Sequence, residues 1–307
     1  MGILDIYLPI AGVSLDVIAL LALGTAVGVL SGVFGVGGGF LLTPLLIFIG
    51  VPPAVAVASS ANQLVGASVS GAIAHWRRGN IDFLMGGLML LGGFGGSALG
   101  VWLFALLRRI GQVELFVSLG YALILTLLGA LMLIESTRSL LRRRRGGMRR
   151  KLHQHTWLHG LPLKLRFRRS KLYTSALLPV FLGFCVGVLS AVLGVGGGFV
   201  MVPAMIYLLR MPTAVVPGTS LFQIIFVTAA VTFLQALENN TVDAVLTMVL
   251  LVGGVVGAQF GTRWGAKLRG EELRVLLALV VLAVAAKLVF DLTVKPDDLF
   301  SLGTIDA

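Results

Sequence analysis

Long apolar runs, separated by short polar segments, recur along the whole chain. An α-helix needs about 20 apolar residues to cross the hydrocarbon of a bilayer, and eight runs reach about that length. They lie near residues 15–34, 54–75, 83–107, 113–134, 174–193, 214–237, 243–264 and 272–291. Two further runs, 40–49 and 199–209, are half as long, and each directly follows a glycine cluster. The pattern predicts an all-α integral membrane protein with two half-membrane helices.

The sequence contains an internal repeat. The segment GVLSGVFGVGGGFLLTP, which begins at Gly28, returns 159 residues later as GVLSAVLGVGGGFVMVP, which begins at Gly187. With one or two residues inserted, the correspondence continues: Ser59, Ser60, Gln63 and Asp82 match Thr219, Ser220, Gln223 and Asp243. We therefore predict an N-terminal membrane repeat over 1–134, a basic loop over 135–172, a C-terminal membrane repeat over 173–292 and a tail over 293–307.

The positions of Lys and Arg indicate how the two copies are oriented, because cytoplasmic loops collect these residues. If each glycine-broken segment turns back as a hairpin, 20 of the 24 basic residues lie on the side of the basic loop; if each crosses fully, only 16 do. The hairpin arrangement is favoured, although Arg108 and Arg109 are exceptions. It makes the two repeats inverted, with the loop cytoplasmic and both termini outside. Inverted repeats with broken helices are a recurrent plan of secondary transporters.

Composition and charge exclude a water-soluble globule. Hydrophobic residues make up 57% of the chain and charged residues 12%, against about 25% charged in soluble domains. The net charge of +11 is local, since 13 of the 24 Lys and Arg lie between Arg138 and Lys171, where no acidic residue occurs. This segment is expected to meet anionic membrane lipid, and no motif for nucleic-acid binding accompanies it. Cys185 is the only cysteine, so no disulfide can form within one chain.

The duplicated sequence GVGGGF, at 35–40 and 194–199, is the first candidate site. Backbone that breaks a helix within hydrocarbon is tolerated only where protein packs around it or water reaches it. A half-helix beginning at such a break presents free N–H groups and its positive end, which together bind an anion. The candidates are Gly37, Gly38, Gly39, Phe40, Gly196, Gly197, Gly198 and Phe199. The alternative is that these glycines only allow close helix packing.

Neutral polar side chains on the helix after each break are the second set of candidates. Hydroxyl and amide groups can hold a small oxyanion without the cost of burying a charged side chain. The candidates are Ser59, Asn62, Gln63, Thr219, Ser220 and Gln223. Asn62 matches Phe222 in the second copy, so the predicted substrate site is asymmetric. The alternative is that these groups join helices to one another.

Other features favour packing over chemistry. Gly92, Gly96 and Gly100, with their copies Gly253, Gly257 and Gly261, form a repeated GxxxG pattern, typical of helix contacts within a chain or in a homodimer.

No Asp or Glu lies in the middle of a span, and no nucleophile–base pair is visible, so we expect no catalytic residue, no metal and no cofactor. His153, His155 and His159 have a metal-like spacing but no acidic or cysteine partner. Lys287 is expected to pair with Asp291.

The doubled glycine motif, the prolines after it, the Ser-Ser and Thr-Ser pairs and the segment HWRRGNID resemble the sulfite exporter TauE/SafE family over roughly residues 14–292. The resemblance implies a multi-pass transporter of the bacterial inner membrane, built from two repeats, for small sulfur-containing anions and organosulfonates. We interpret the chain as an exporter of a sulfur oxyanion such as sulfite, not as an enzyme. An importer of thiosulfate or sulfoacetate, and a non-transporting scaffold acting through the basic loop, remain alternatives.

Overall fold

The computed structural model describes residues 5–34, 37–144, 163–265 and 270–293, and these form ten helices and two short β-hairpins. The hairpins consist of β1 (Asp5–Leu8) with β2 (Val13–Asp16) and β3 (Lys164–Phe167) with β4 (Leu172–Ser175). The helices are α1 (Val17–Phe34), α2 (Gly39–Phe48), α3 (Pro53–Arg77), α4 (Phe83–Arg109), α5 (Val113–Arg144), α6 (Leu177–Leu193), α7 (Gly198–Tyr207), α8 (Val216–Asn239), α9 (Ala244–Gly265) and α10 (Gly270–Thr293).

All ten apolar runs of the sequence are helices, which confirms the all-α membrane fold. By length and composition, four of the described helices suffice to cross a membrane: Phe83–Arg109, Val113–Ile134, Val216–Asn239 and Ala244–Trp264. On α5 the exposed leucines 119, 123, 127 and 131 follow one another at a four-residue spacing, so they share one helical face. Such an apolar face is suited to contact with lipid.

The two halves pack reciprocally through their glycines. Helix α1 packs along α9, and α6, its counterpart in the second repeat, packs along α4. A methyl group built on Gly96 would lie 2.1 Å from the carbonyl oxygen of Phe184, and one built on Gly257 would lie 2.2 Å from that of Thr25. Both GxxxG faces are thus occupied by helices of the same chain. The main helix contacts therefore join the repeats to each other.

The equivalent helices α3 and α8 run antiparallel to each other. Gly71 of α3 packs against Leu221 of α8, whereas Gly218 packs against His75, so residue numbers rise along one helix as they fall along the other. Two copies related by an axis along the membrane normal would place equivalent helices parallel. The antiparallel arrangement fits a two-fold axis that relates the two repeats and runs perpendicular to the helices.

The two β-hairpins extend the repeat and were not predicted. Their residues correspond at the same 159-residue spacing as the glycine motif, so the C-terminal repeat begins by Lys164, inside the segment predicted as a loop. Each hairpin caps a helix of the opposite half. Asp82 Oδ2 accepts hydrogen bonds from the N–H and the hydroxyl of Ser170, at 3.1 and 2.6 Å, and Asp243 Oδ2 accepts from the N–H of Ile10 at 2.9 Å. The aspartates at the starts of α4 and α9 thereby join the repeats.

Two adjacent glycines of α4 offer a test of this packing. We expect Gly96→Ala to destabilise the fold by about 2–3 kcal/mol, because its methyl group would overlap the backbone of α6. Gly95→Ala is the matched control, since its methyl group would meet only the Phe184 ring, 3.8 Å away. Thermal unfolding in detergent measures both. Equal melting temperatures for the two variants would contradict the α4–α6 contact.

Candidate functional site

Each half contains a helix that breaks at its glycine cluster and restarts as a short helix. Helix α1 ends at Phe34 and α2 begins at Gly39; α6 ends at Leu193 and α7 begins at Gly198. Gly35 and Val36 lie outside the described residues. Gly197, the N-cap of α7, has φ +75°, a left-handed conformation that disfavours residues with a side chain. The break is therefore encoded by glycine itself.

The starts of α2 and α7 meet inside the bundle. The rings of Phe40 and Phe199, the second residues of these helices, stack in parallel with centroids 4.3 Å apart. Leu64, near the middle of α3, lies against both breaks: methyl groups built on Gly39 and Gly196 would each lie 2.4 Å from its Cδ1. The two positive helix ends thus face one region half-way along α3.

One of the predicted backbone donors, Gly39, is used within the first break, and two N–H groups that were not predicted are used at the second. The N–H of Gly39 donates to the carbonyl of Gly37, and the N–H groups of Val200 and Met201 donate to the carbonyl of Gly197. Gly198 and Phe199 stand at the first two positions of α7, where an N–H has no acceptor within its own helix. These two N–H groups, like that of Phe40 at the second position of α2, are backbone donors available to a bound anion.

Two glutamines at equivalent positions of the repeats have buried amide groups without hydrogen-bond partners among the described residues. Gln63 on α3 and Gln223 on α8 are fully buried, and neither amide oxygen nor amide nitrogen has a hydrogen-bond partner among the described residues. Each packs on a glycine of the opposite half, Gln63 on Gly254 and Gln223 on Gly93. A buried amide without a partner costs about 1–3 kcal/mol. A pair of such groups, present in both repeats one residue before the side chains that contact Gly37, Leu64 and Ile224, suggests a ligand that completes their hydrogen bonds.

The remaining candidates differ in how free their polar groups are. Ser59 is fully buried and its hydroxyl has no partner among the described residues, whereas Asn62 is half-buried. The hydroxyls of Thr219 and Ser220 donate to the carbonyls of Val215 and Pro217 in the first turn of α8. Thr219 Oγ1 also accepts from the N–H of Asp82, at 3.0 Å. Thr219 and Ser220 therefore secure the start of α8.

Two structural residues beside the second break were not predicted. The hydroxyl of Tyr121 on α5 donates to the carbonyl of Leu193, where α6 ends. Gln235 on α8 donates to the carbonyl of Ala191 at 3.1 Å and accepts from the amide of Asn239 at 2.6 Å. These bonds satisfy carbonyls that the break leaves open. The available sequence signal for Gln235 was a glutamine within an apolar run of membrane length.

Two charged residues noted in the sequence, Arg108 and Lys287, have partners within the structure, and three histidines lie outside the described residues. Arg108 donates to the carbonyl of Asn239, at the C-terminal end of α8. Lys287 pairs with Asp291, with Nζ and Oδ2 3.4 Å apart, as predicted. The histidines at 153, 155 and 159 lie outside the described residues.

Comparison with known proteins agrees with this architecture. Residues 20–288 match the family model described as "Sulfite exporter TauE/SafE". The chain is 28% identical over 275 residues to the probable membrane transporter protein YjnA of Bacillus subtilis, an alignment that covers 89% of this chain and 99% of that protein. It is 30% identical over 272 residues to a probable membrane transporter protein of Xylella fastidiosa strain 9a5c, covering 85% of this chain and 90% of that protein. No solved structure matches it. The chain belongs to the TauE/SafE family of membrane transporters.

Proposed function

We propose that the protein exports a small sulfur-containing oxyanion, such as sulfite, across the bacterial inner membrane. The anion binds where α2 and α7 meet, held by the N–H groups of Gly198 and Phe199 and by the amides of Gln63 and Gln223. The observation that carries this proposal is the pair of buried glutamines that have no hydrogen-bond partner among the described residues, each one residue before a side chain, Leu64 or Ile224, that lies against Gly37 at the first break. Backbone and amide N–H groups match the chemistry of an oxyanion.

In this proposal the observed packing is a closed state of the site. Rings stacked 4.3 Å apart leave no room for an anion between Phe40 and Phe199, and Leu64 fills the space beside them. Transport then requires the two half-helices to separate. We propose inverted repeats that rock about this contact, an arrangement supported by the antiparallel packing of α3 and α8.

The membrane potential supplies the driving force in this proposal. With the basic segment on the cytoplasmic side, a potential negative inside favours exit of an anion by about 2.3 kcal/mol per charge for each 100 mV. No coupling ion is needed. Strict dependence of efflux on a proton gradient at zero potential would contradict this mechanism.

The substrate is tested with purified protein in proteoliposomes loaded with sulfite, sulfate, thiosulfate or sulfoacetate and clamped at a potential negative inside. We expect selective sulfite efflux above that of protein-free vesicles. Preferential movement of thiosulfate or sulfoacetate would replace the substrate and leave the site in place. No flux of any of the four anions, from protein shown to be folded, would contradict the proposed function.

A further inference from the structure

A cavity of about 630 Å³ opens between α3 and α9, away from the glycine breaks. Arg77, Arg78 and Arg263 line it together with the polar side chains of Ser70 and Gln259. All three arginines are exposed, and none forms an ion pair with another described residue. Since a water molecule takes up about 30 Å³ in the liquid, the cavity is large enough for an oxyanion and several water molecules. We name this cavity the arginine vestibule.

The arginine vestibule leads towards the proposed site. Its inner end is lined by Gly66 of α3 and Val255 of α9. Gln63 lies three residues before Gly66, about 4.5 Å further along the helix axis, and it packs on Gly254, the residue before Val255. An anion at the inner end of the vestibule is thus within one helical turn of an unpartnered amide.

The vestibule lies at the same end of the bundle as the β3–β4 hairpin. The guanidinium of Arg169, in the β3–β4 hairpin, donates to the carbonyl of Gly79 at 3.3 Å, just beyond the end of α3. The three vestibule arginines and the β3–β4 hairpin therefore share one face of the protein, the face that positive-residue counting assigns to the cytoplasm.

The repeat relates the arginine vestibule to a second cavity at the opposite end of the bundle, and the side chains lining this second cavity carry a different charge. It lies between α4 and α8, has a volume of about 210 Å³, and is lined by Arg109, Glu238 and Trp102. In the repeat alignment, Glu238 stands where the first copy has Arg78, and Trp102 stands where the second copy has Arg263. One cavity is thus lined by three positive charges, and the other by one positive and one negative charge.

We propose that the arginine vestibule is an anion-recruiting entrance that concentrates oxyanions on the cytoplasmic side, whereas the α4–α8 cavity releases them. A cleft of one charge sign with apolar walls focuses the electric field and raises the local concentration of counter-ions. This assignment of direction rests on the proposed export function, but the accumulation of anions in the vestibule does not.

Tryptophan quenching tests the accumulation without any transport. Trp264 adjoins Arg263, Trp102 lines the opposite cavity, and their exposed fractions are similar, 59% and 62%. One variant keeps Trp264 alone (Trp76→Phe, Trp102→Phe, Trp157→Phe) and the other keeps Trp102 alone. We expect iodide at low salt to quench Trp264 about threefold more strongly than Trp102, and neutral acrylamide to quench both equally. Equal iodide quenching, or a difference that survives Arg77→Gln, Arg78→Gln, Arg263→Gln, would overturn the proposal.

Flux from the cytoplasmic face tests the role in transport. In inside-out vesicles, the triple glutamine variant is expected to raise the KM for sulfite about tenfold at low salt with little change in maximal rate. At about 0.5 M salt, where charges are screened over a few ångströms, the difference should disappear. The triple lysine variant, which keeps the charge, should resemble the wild type, and Arg109→Gln should leave this KM unchanged.

The outcomes separate the two proposals. A wild type that moves sulfite while the glutamine variant keeps its KM would overturn the entrance and leave the export function intact. A lysine variant as impaired as the glutamine variant would also overturn it, because the arginines would then be structural. A wild type that moves no anion would contradict the export function, and the iodide comparison would still decide whether the vestibule gathers anions.

Discussion

Replacing both Gln63 and Gln223 with methionine is expected to abolish most anion flux and, at the same time, to stabilise the folded protein. Methionine has a similar length and no polar atoms, so it removes four buried groups that have no partner among the described residues. We expect about 1–2 kcal/mol of added stability at each position. A hydrogen bond to a charged ligand contributes about 1.5–3 kcal/mol, so the double variant should lose at least about a hundredfold in flux. Thermal unfolding and proteoliposome efflux measure the two effects.

Gln235 provides the matched control. It is a buried glutamine on the same helix as Gln223, but its amide bonds to the carbonyl of Ala191 and to Asn239. We expect Gln235→Met to destabilise the protein by about 1–3 kcal/mol, because its partners are left unsatisfied. If the Gln63 and Gln223 variant were destabilised in the same way, or transported normally, the glutamines would be structural rather than substrate-binding.

Gly197→Ala is expected to destabilise the fold by about 2–5 kcal/mol. The residue has φ +75°, which costs about 1–2 kcal/mol with a side chain. Its methyl group would also lie 2.0 Å from Cγ1 of Val186, an overlap that costs about 1–3 kcal/mol. The break would then close or shift, and flux should fall with it. Unfolding in detergent reports the loss.

Two further variants separate the causes of that loss. Gly87→Ala, on α4, is the control: nothing lies within 4 Å of its added methyl group, so we expect no loss of stability. Val186→Ala combined with Gly197→Ala should recover the part due to overlap, which a double-mutant cycle isolates, and should leave the strain of the left-handed backbone. A Gly197→Ala protein as stable as Gly87→Ala would contradict the described geometry of the break.

The helices were predictable because their signal is simple. Apolar runs of membrane length, and two runs of half that length after GVGGGF, correspond to the ten helices. The β-hairpins were not visible in the same signal. Their strands have four residues each, and β3 carries Lys164 and Arg166, which suggested a basic loop. The hairpins are held in place by hydrogen bonds to Asp82 and Asp243 of the opposite half, and these residues are distant in sequence.

The candidate site was predictable where the repeat preserved it. Gln63 and Gln223 stand at matching positions, and the structure leaves both without partners among the described residues. Thr219 and Ser220 also match a pair in the first copy, but a hydroxyl near a helix start can bond to a nearby carbonyl, as theirs do. Tyr121 bonds to a helix of the other repeat, so no pattern local to α5 indicates its role.

The most direct test of the central claim is to locate a bound anion. Selenite has the charge and pyramidal shape of sulfite, and selenium gives an anomalous diffraction signal. In crystals of the wild-type protein grown with selenite, we expect a selenium peak next to the N–H groups of Gly198 and Phe199, with Gln63 or Gln223 within about 3 Å of an oxygen, and with the rings of Phe40 and Phe199 apart. A peak inside the membrane part but outside both this site and the arginine vestibule, with the two rings still stacked, would contradict binding between the glycine breaks.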